Sequence, residues 1–237
     1  MLSEELPRLL QREKVIESGP HFLDRHNAAE TLLTDCLRME ELLSYWSTMV
    51  PPQFQFTSLA LPKPSSQTLS PPNESATYPS SMDIYCDNTM ASTWNTWRVT
   101  RIRVLRIILH CLDILNPPDP SVPRPPEYTT AYAMILRLID GICNTVPFHL
   151  GFHEQRIGDA GAFDCFPHPP GEAKWPDGFA ASGAVGGWLM MQPLSFVASC
   201  EYTPEPQREW VREYLTTFLR DPSSMESRSV MAPHPRP

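Results

Sequence analysis

Residues 94–109 read WNTWRVTRIRVLRIIL, a run in which apolar side chains recur at three- and four-residue steps. At about 100° of rotation per residue, one helix face carries seven apolar side chains and continues past the run: Trp94, Trp97, Val104, Leu105, Ile108, Leu112 and Leu115. Arg101 falls in the middle of that face. A helix that is apolar on most sides belongs inside a helical assembly. Because an unpaired buried charge is costly, we predict a core helix in which Arg101 pairs with a carboxylate or several carbonyls.

Helical periodicity extends well beyond this run. We predict helices over residues 2–17, 27–49, 83–115 with a break near 87–88, 128–146, 183–200 with a kink at Pro193, and 204–221. The stripe expected to face inward in the fourth comprises Tyr132, Ile135, Leu136, Ile139 and Ile142. Pro147 is expected to end that helix, and Thr203 to cap the start of the last one.

Proline organises the rest of the chain. The 27 prolines cluster between the helical segments, and strand-type alternation is nowhere sustained. The predicted fold class is therefore all-α, an irregular multi-helix bundle with long proline-rich loops. We expect N-terminal helices in 1–58, a Pro/Ser-rich linker in 59–81 and a helical core in 82–220 that packs with 21–58. Residues 221–237 are expected to form a disordered tail.

Charge and hydropathy exclude several classes of protein. The formal net charge of -8 argues against a general nucleic-acid surface, so the four arginines of the central run are interpreted as pairing residues. The longest apolar run, 183–200, contains Gln192 and Pro193 and is expected to be a core helix rather than a membrane span. Residues 1–18 are charged and amphipathic, unlike a signal peptide.

Cysteine and histidine raise the question of a metal site. None of the six cysteines forms a Cys-x-x-Cys pair, so neither a structural zinc site nor a thioredoxin-type motif is predicted. The best remaining set of ligands comprises Cys143, His149, His153, Cys165 and His168. Pro147 and Gly151 argue against the helix that would place His149 and His153 on one face. We therefore predict no metal site and no cofactor, and instead a loop anchored by Phe148 and Phe152 with its histidines at the surface.

Catalytic motifs are also lacking in the sequence. Residues 182–187, SGAVGG, do not have the Gly-x-Ser-x-Gly order of a serine hydrolase, and their glycines are expected to let a neighbouring helix approach closely. The carboxylate pairs Glu4-Glu5 and Glu40-Glu41 are interpreted as solvated helix exteriors. No catalytic residues are predicted, and an enzyme is not expected.

Four segments, taken in order, carry a family resemblance. They are LLSYW with VPPQF (42–46, 50–54), MDIY leading into WNTWRVTRI (82–85, 94–102), ICNTVPFHLG (142–151), and GGWLMMQPL with REWV (186–194, 208–211). Together they resemble the carboxy-terminal regulatory region of fungal transcription factors of the zinc binuclear cluster class. The resemblance covers roughly residues 30–220, and its specificity lies in the order and spacing of the segments.

The resemblance implies a nuclear regulatory protein that acts through contacts with other proteins, either transcriptional machinery or a DNA-binding paralogue. It further implies control of a fungal metabolic or secondary-metabolite gene set. The paired cysteines and the basic linker that bind DNA in that family are not in this sequence, so direct nucleic-acid binding is not carried over. Two alternatives stay open: an interaction or small-molecule-sensing module with an apolar pocket between the central helix and 183–200, and an enzyme of unfamiliar type using Cys143, His149 and His153.

Overall fold

The chain is predominantly helical. The computed structural model describes residues 2–18, 22–61, 79, 81–119, 121–150 and 179–220. Its helices are α1 (Leu2–Ser18), α2 (Phe22–Met49), α3 (Asn88–Leu115), α4 (Pro126–Asn144), α5 (Val146–His149), α6 (Phe179–Ser199) and α7 (Glu205–Arg220). A 3₁₀ turn, Pro52–Phe54, and two strands, β1 (Thr57–Ala60) and β2 (Ser81–Ile84), complete the described elements. The predicted all-α class is confirmed.

The chain divides into two compact units. The first comprises Met1–Val50 and Thr96–Leu138 and holds α1, α2 and most of α3 and α4. The second comprises Pro51–Asn95 and Ile139–Pro237 and holds the two strands, the first turns of α3, the end of α4, and α5 to α7.

The central helix α3 is the core helix that the sequence predicts. From Arg101 to Leu112 its side chains are all buried or half-buried, and Ile102, Ile107 and Leu109 have no exposed surface. It begins at Asn88 because the Asp87 carboxylate accepts a hydrogen bond of 2.7 Å from the Met90 backbone N–H, as an N-cap does. The predicted break near 87–88 is therefore the start of the helix.

In the first unit, the buried side of α2 is a stripe with helical spacing: Ala29, Leu32, Cys36, Met39 and Leu43. Helix α1 packs on α2 and contributes Leu9 and Ile16 to the buried set. Helix α2 begins at Phe22, before the predicted residue 27, and ends at Met49 ahead of Pro51, as predicted.

In the second unit, a short antiparallel hairpin flanks the predicted linker. Thr57 pairs with Ile84 and Ala60 with Ser81. Each strand has 4 residues, too few for alternation to stand out in the sequence. Most of the predicted linker, residues 62–78, lies outside the described residues, as does the predicted tail.

Three local predictions are wrong. Tyr132 is 41% exposed, and Leu138 takes its place in the buried stripe of α4. Pro147 does not end α4, which stops at Asn144, but lies in the first turn of α5, where its missing N–H costs no helical bond. Thr203 does not cap α7, because its hydroxyl donates to the Val197 carbonyl at 2.7 Å and α7 begins only at Glu205.

A glycine sets the distance between α5 and α6. A Cβ atom placed on Gly186 would lie 2.0 Å from the carbonyl oxygen of His149, far inside van der Waals contact. The backbone of α6 can therefore pack on α5 only with glycine at this position. The prediction that glycines in 182–187 allow close approach is confirmed for Gly186.

We expect Gly186→Ala to lower the free energy of unfolding by at least about 2 kcal/mol, because backbone rather than a flexible side chain must move. A glycine-to-alanine change inside a helix ordinarily stabilises by about 1 kcal/mol, so the sign of the effect is the test. Chemical denaturation measures it, with Ser195→Ala on the exposed face of the same helix as the control. A stabilising Gly186→Ala would contradict the close approach.

Candidate functional site

Arg101 is the centre of a charged and aromatic cluster in the first unit. It is 7% exposed, and its Nε donates to both carboxylate oxygens of Glu40, at 2.8 and 3.0 Å. The guanidinium carbon lies 5.2 Å from the centre of the Trp97 ring, within the range of a cation–π contact. The predicted pairing of Arg101 is confirmed. The predicted exterior position is wrong for Glu40, which is half-buried, and right for Glu41, which is exposed.

Trp97 strengthens the same joint between α2 and α3. Its indole N–H donates to the Leu43 carbonyl at 2.8 Å, and its ring centre lies 5.9 Å from that of Trp46. The carbonyl of Leu43, which lies in α2, therefore accepts a hydrogen bond from a side chain of α3. Ionic, aromatic and hydrogen-bonding contacts therefore join α2 and α3 around Arg101 and Trp97.

The second unit contains a buried polar cluster that joins three helical elements. The Asn95 side-chain amide donates to Thr145 Oγ1 at 2.9 Å and lies 3.4 Å from the Met190 sulfur. The Thr145 hydroxyl in turn donates to the Ile142 carbonyl at 2.7 Å. All of these side chains are buried. Because these buried polar groups are hydrogen-bonded to one another, they favour one packing arrangement of the surrounding core.

Gln207 organises a second buried contact in this unit. Its amide nitrogen donates to an Asp140 carboxylate oxygen at 3.0 Å and lies 3.4 Å from the Cys143 sulfur. Burial raises the pKa of the Cys143 thiol to about 12. Cys143 is therefore a protonated, packed thiol at neutral pH, a poor nucleophile and a poor metal ligand.

His149 is a buried histidine whose ring has no hydrogen bond partner among the described residues. It is 2% exposed, and burial lowers its pKa to about 4. The predicted surface position is therefore wrong for His149. Its neighbour Phe148 is buried as predicted, with its ring centre 5.4 Å from that of Tyr85.

The candidate metal set is only partly within the described chain. His153, Cys165 and His168 lie outside it, as does Phe152. Of the two described members, Cys143 contacts Gln207, and His149 lies in α5, which packs against α6 and β2. In the described ranges, no group of three or more His, Cys, Asp or Glu side chains could hold a metal ion.

The other candidate motifs have ordinary structural positions. Ser182 and its following glycines lie inside α6 and not at a strand-to-helix turn. Glu4 and Glu5 are exposed on α1, as predicted. Among the helices that the structure describes, none has the length and apolarity that spanning a membrane requires.

Arg208 and Asn95 lie in segments that carry the family resemblance, but the sequence reasoning gave neither of them a structural role. Arg208 donates from one terminal nitrogen to the carbonyls of Cys200 and Thr203, at 3.0 and 2.9 Å, and so satisfies acceptors past the end of α6. Asn95 lies between Trp94 and Trp97 in the run predicted to form the core helix. That position is the signal by which it could have been recognised.

Comparison with known proteins found no match to this chain among protein-family models, curated proteins or solved structures.

We expect Arg101→Met to lower the free energy of unfolding by about 2–4 kcal/mol, because it leaves the half-buried Glu40 carboxylate without its cation. The double variant Arg101→Met/Glu40→Leu should recover most of that loss. A double-mutant cycle measured by chemical denaturation gives the coupling energy. The matched control is Arg38→Met on the exposed side of α2, which should change stability by less than about 0.5 kcal/mol. Equal effects at Arg38 and Arg101 would refute the buried ion pair.

We expect the protein to lose stability as the pH falls through the window from about 6.5 to about 4. In the folded chain His149 resists protonation, whereas in the unfolded chain it binds a proton at its ordinary pKa, so acid favours unfolding. Replacement by His149→Leu should reduce the difference in unfolding free energy between pH 7 and pH 4.5 by about 2–3 kcal/mol. Identical pH profiles for the two proteins would show that His149 is solvated.

Proposed function

We propose that this chain is a nuclear regulatory protein that modulates transcription through contacts with other proteins and does not itself bind DNA. It would act on transcriptional machinery or on a DNA-binding paralogue. The gene set would be a metabolic or secondary-metabolite set of a fungus. The proposal rests on the ordered resemblance of four segments to the regulatory region of zinc binuclear cluster transcription factors.

The observation that carries the proposal is where those four segments lie. In the second unit, the Trp94 indole N–H of the second segment donates to the Phe54 carbonyl of the first, at 2.9 Å. Asn95 of the second segment contacts Thr145 of the third and Met190 of the fourth. Residues that carry the resemblance therefore contact one another in the fold, which favours a shared module over a chance run of apolar letters.

Two further contacts follow the same pattern. Gly186 of the fourth segment packs on the His149 backbone of the third, and Arg208, from the arginine–tryptophan pair that closes the resemblance, binds carbonyls past the end of α6. In the first unit, Trp46 of the first segment stacks near Trp97 of the second. These contacts are packing and hydrogen-bonding contacts that stabilise the fold, which is the role expected of them in a regulatory scaffold.

The disposition of the arginines supports action through protein rather than DNA contacts. Arg98 and Arg101 are buried, and Arg103 and Arg106 are half-buried. A patch that neutralises phosphates needs exposed cations, and a chain with a net charge of -8 is repelled by a polyanion. The central helix therefore does not offer a phosphate-binding surface.

The two alternative functions have less support. Asn95 of α3 and Met190 of α6 are in contact, whereas the sensing hypothesis expects an apolar pocket between these two helices. An enzyme using Cys143 and His149 would begin from a protonated thiol and a buried imidazole. Thermal shift against pathway metabolites and the metal content of the purified chain test these alternatives.

We expect the whole chain, fused to a heterologous sequence-specific DNA-binding domain, to change expression of a reporter that carries the matching site. The comparison is with the DNA-binding domain alone at matched protein levels. Ser195→Ala should retain the effect and Gly186→Ala should lose it, because only the latter disturbs packing. A fluorescently tagged chain should accumulate in the nucleus.

Two results would count against the proposal. One is a reporter that responds equally to the fusion and to the DNA-binding domain alone. The other is tight, salt-dependent binding of DNA by the purified chain, which would mean that phosphate contacts are made after all.

A further inference from the structure

Helix α1 contributes few fully buried side chains to the first unit. Among its described side chains, Leu9 and Ile16 are buried, Leu6 and Leu10 are half-buried, and Val15 is exposed. Elements with little buried apolar surface open locally at a lower free energy than global unfolding requires. Helix α1 contributes fewer fully buried side chains than α2 or α3, so its release exposes less of the core than release of either of them would.

Two adjacent polar residues of α1 complete its attachment. Arg12 forms an ion pair with Asp35 of α2, and both side chains are largely exposed. Glu13 lies 3.2 Å from Nδ1 of His110 on α3, and both of these side chains are half-buried. Successive positions of α1 thus contact α2 and α3.

These contacts lie close to two buried thiols. Asp35 and His110 immediately precede Cys36 and Cys111, which are 0% and 1% exposed. Both thiols feel the charges of Arg12 and Glu13, and burial raises the pKa of each to about 12. Helix α1 therefore covers a patch of α2 and α3 on which both cysteines lie.

We propose that α1 is a reversibly docked helix that masks a helix-binding face of α2 and α3 around Cys36 and Cys111, and that the charge on His110 controls its release. The occupant of the face is α1 itself, and charge complementarity fixes its position: Arg12 opposite Asp35 and Glu13 opposite His110. The inference concerns the first unit alone and does not depend on the proposed function.

The charge on His110 determines how the docking of α1 depends on pH. The hydrogen bond to Glu13 raises the pKa of His110, and Glu17 of α1 and Asp113 of α3 act in the same sense. Asp113 is itself paired with Arg124, at 2.7 Å. Because the pKa of His110 is raised, its stabilisation of the docked helix is complete below the ordinary histidine pKa. That stabilisation is lost as pH rises through the raised value, and α1 is released toward the alkaline side.

Thiol labelling of the full chain tests the proposal. A maleimide reagent is applied under native conditions, and each cysteine is quantified by peptide mass spectrometry. Cys86 is exposed and reports reagent activity, whereas Cys143 is buried in the second unit and reports unfolding there. The test variant is Glu13→Gln. The control is Glu5→Gln, the same chemical change at an exposed position of the same helix.

We expect Glu13→Gln to label Cys36 and Cys111 about two- to fivefold faster than wild type at about pH 6, where His110 is charged. The ratio should fall toward one as the pH rises above the raised pKa of His110. Labelling of Cys143 should not change, and Glu5→Gln should match wild type throughout. In hydrogen exchange, α1 alone should lose protection, with α3 unchanged.

The proposal is overturned if Cys36 and Cys111 label no faster in Glu13→Gln than in wild type. It is equally overturned if α3 loses protection together with α1, which would mean that the unit opens as a whole. A ratio independent of pH would remove His110 from control of the helix.

Discussion

Burial of the Arg101 guanidinium is the constraint around which the first unit is organised. A cation on the inward face of α3 can be removed from water only if its charge and its donors are met, and Glu40 meets them with both oxygens. This requirement fixes the register of α2 against α3, because Glu40 must stand opposite Arg101. Trp97 then covers the guanidinium and ties its own indole N–H to Leu43.

The second unit meets the same requirement with neutral groups. Asn95 and Thr145 satisfy each other in a core where an unpaired amide would be costly, and the buried Gln207 amide donates to the carboxylate of Asp140, an exposed residue. Gly186 then lacks a Cβ that would hold α6 away from α5. Directional hydrogen bonds and a missing side chain together select one packing from the many that apolar helices allow.

Helical periodicity was enough to predict the class, the central helix and the need for a partner to Arg101. It could not identify Glu40, because a carboxylate on a helix looks the same in sequence whether it faces solvent or a distant arginine. The hairpin was missed because each strand spans 4 residues, and its pairing joins positions more than twenty residues apart. Helix ends shifted where capping depended on neighbours: Asp87 caps α3 as its residue type suggests, whereas tertiary contact diverts the Thr203 hydroxyl to Val197.

His149 and His110 show why the candidate sites could not be weighed from sequence alone. Both are histidines on helices, yet burial without a partner lowers the pKa of His149, and the hydrogen bond that His110 donates to Glu13 raises the pKa of His110. Protonation therefore destabilises the packing around the first and stabilises the docking of α1 around the second. Whether protonation stabilises or destabilises the fold depends on whether a carboxylate lies within hydrogen-bonding distance of the histidine. The carboxylate that pairs with His110 belongs to Glu13, which is 97 positions away along the chain. A local sequence pattern cannot encode such a separation, so the chemistry of each histidine follows from the fold that surrounds it.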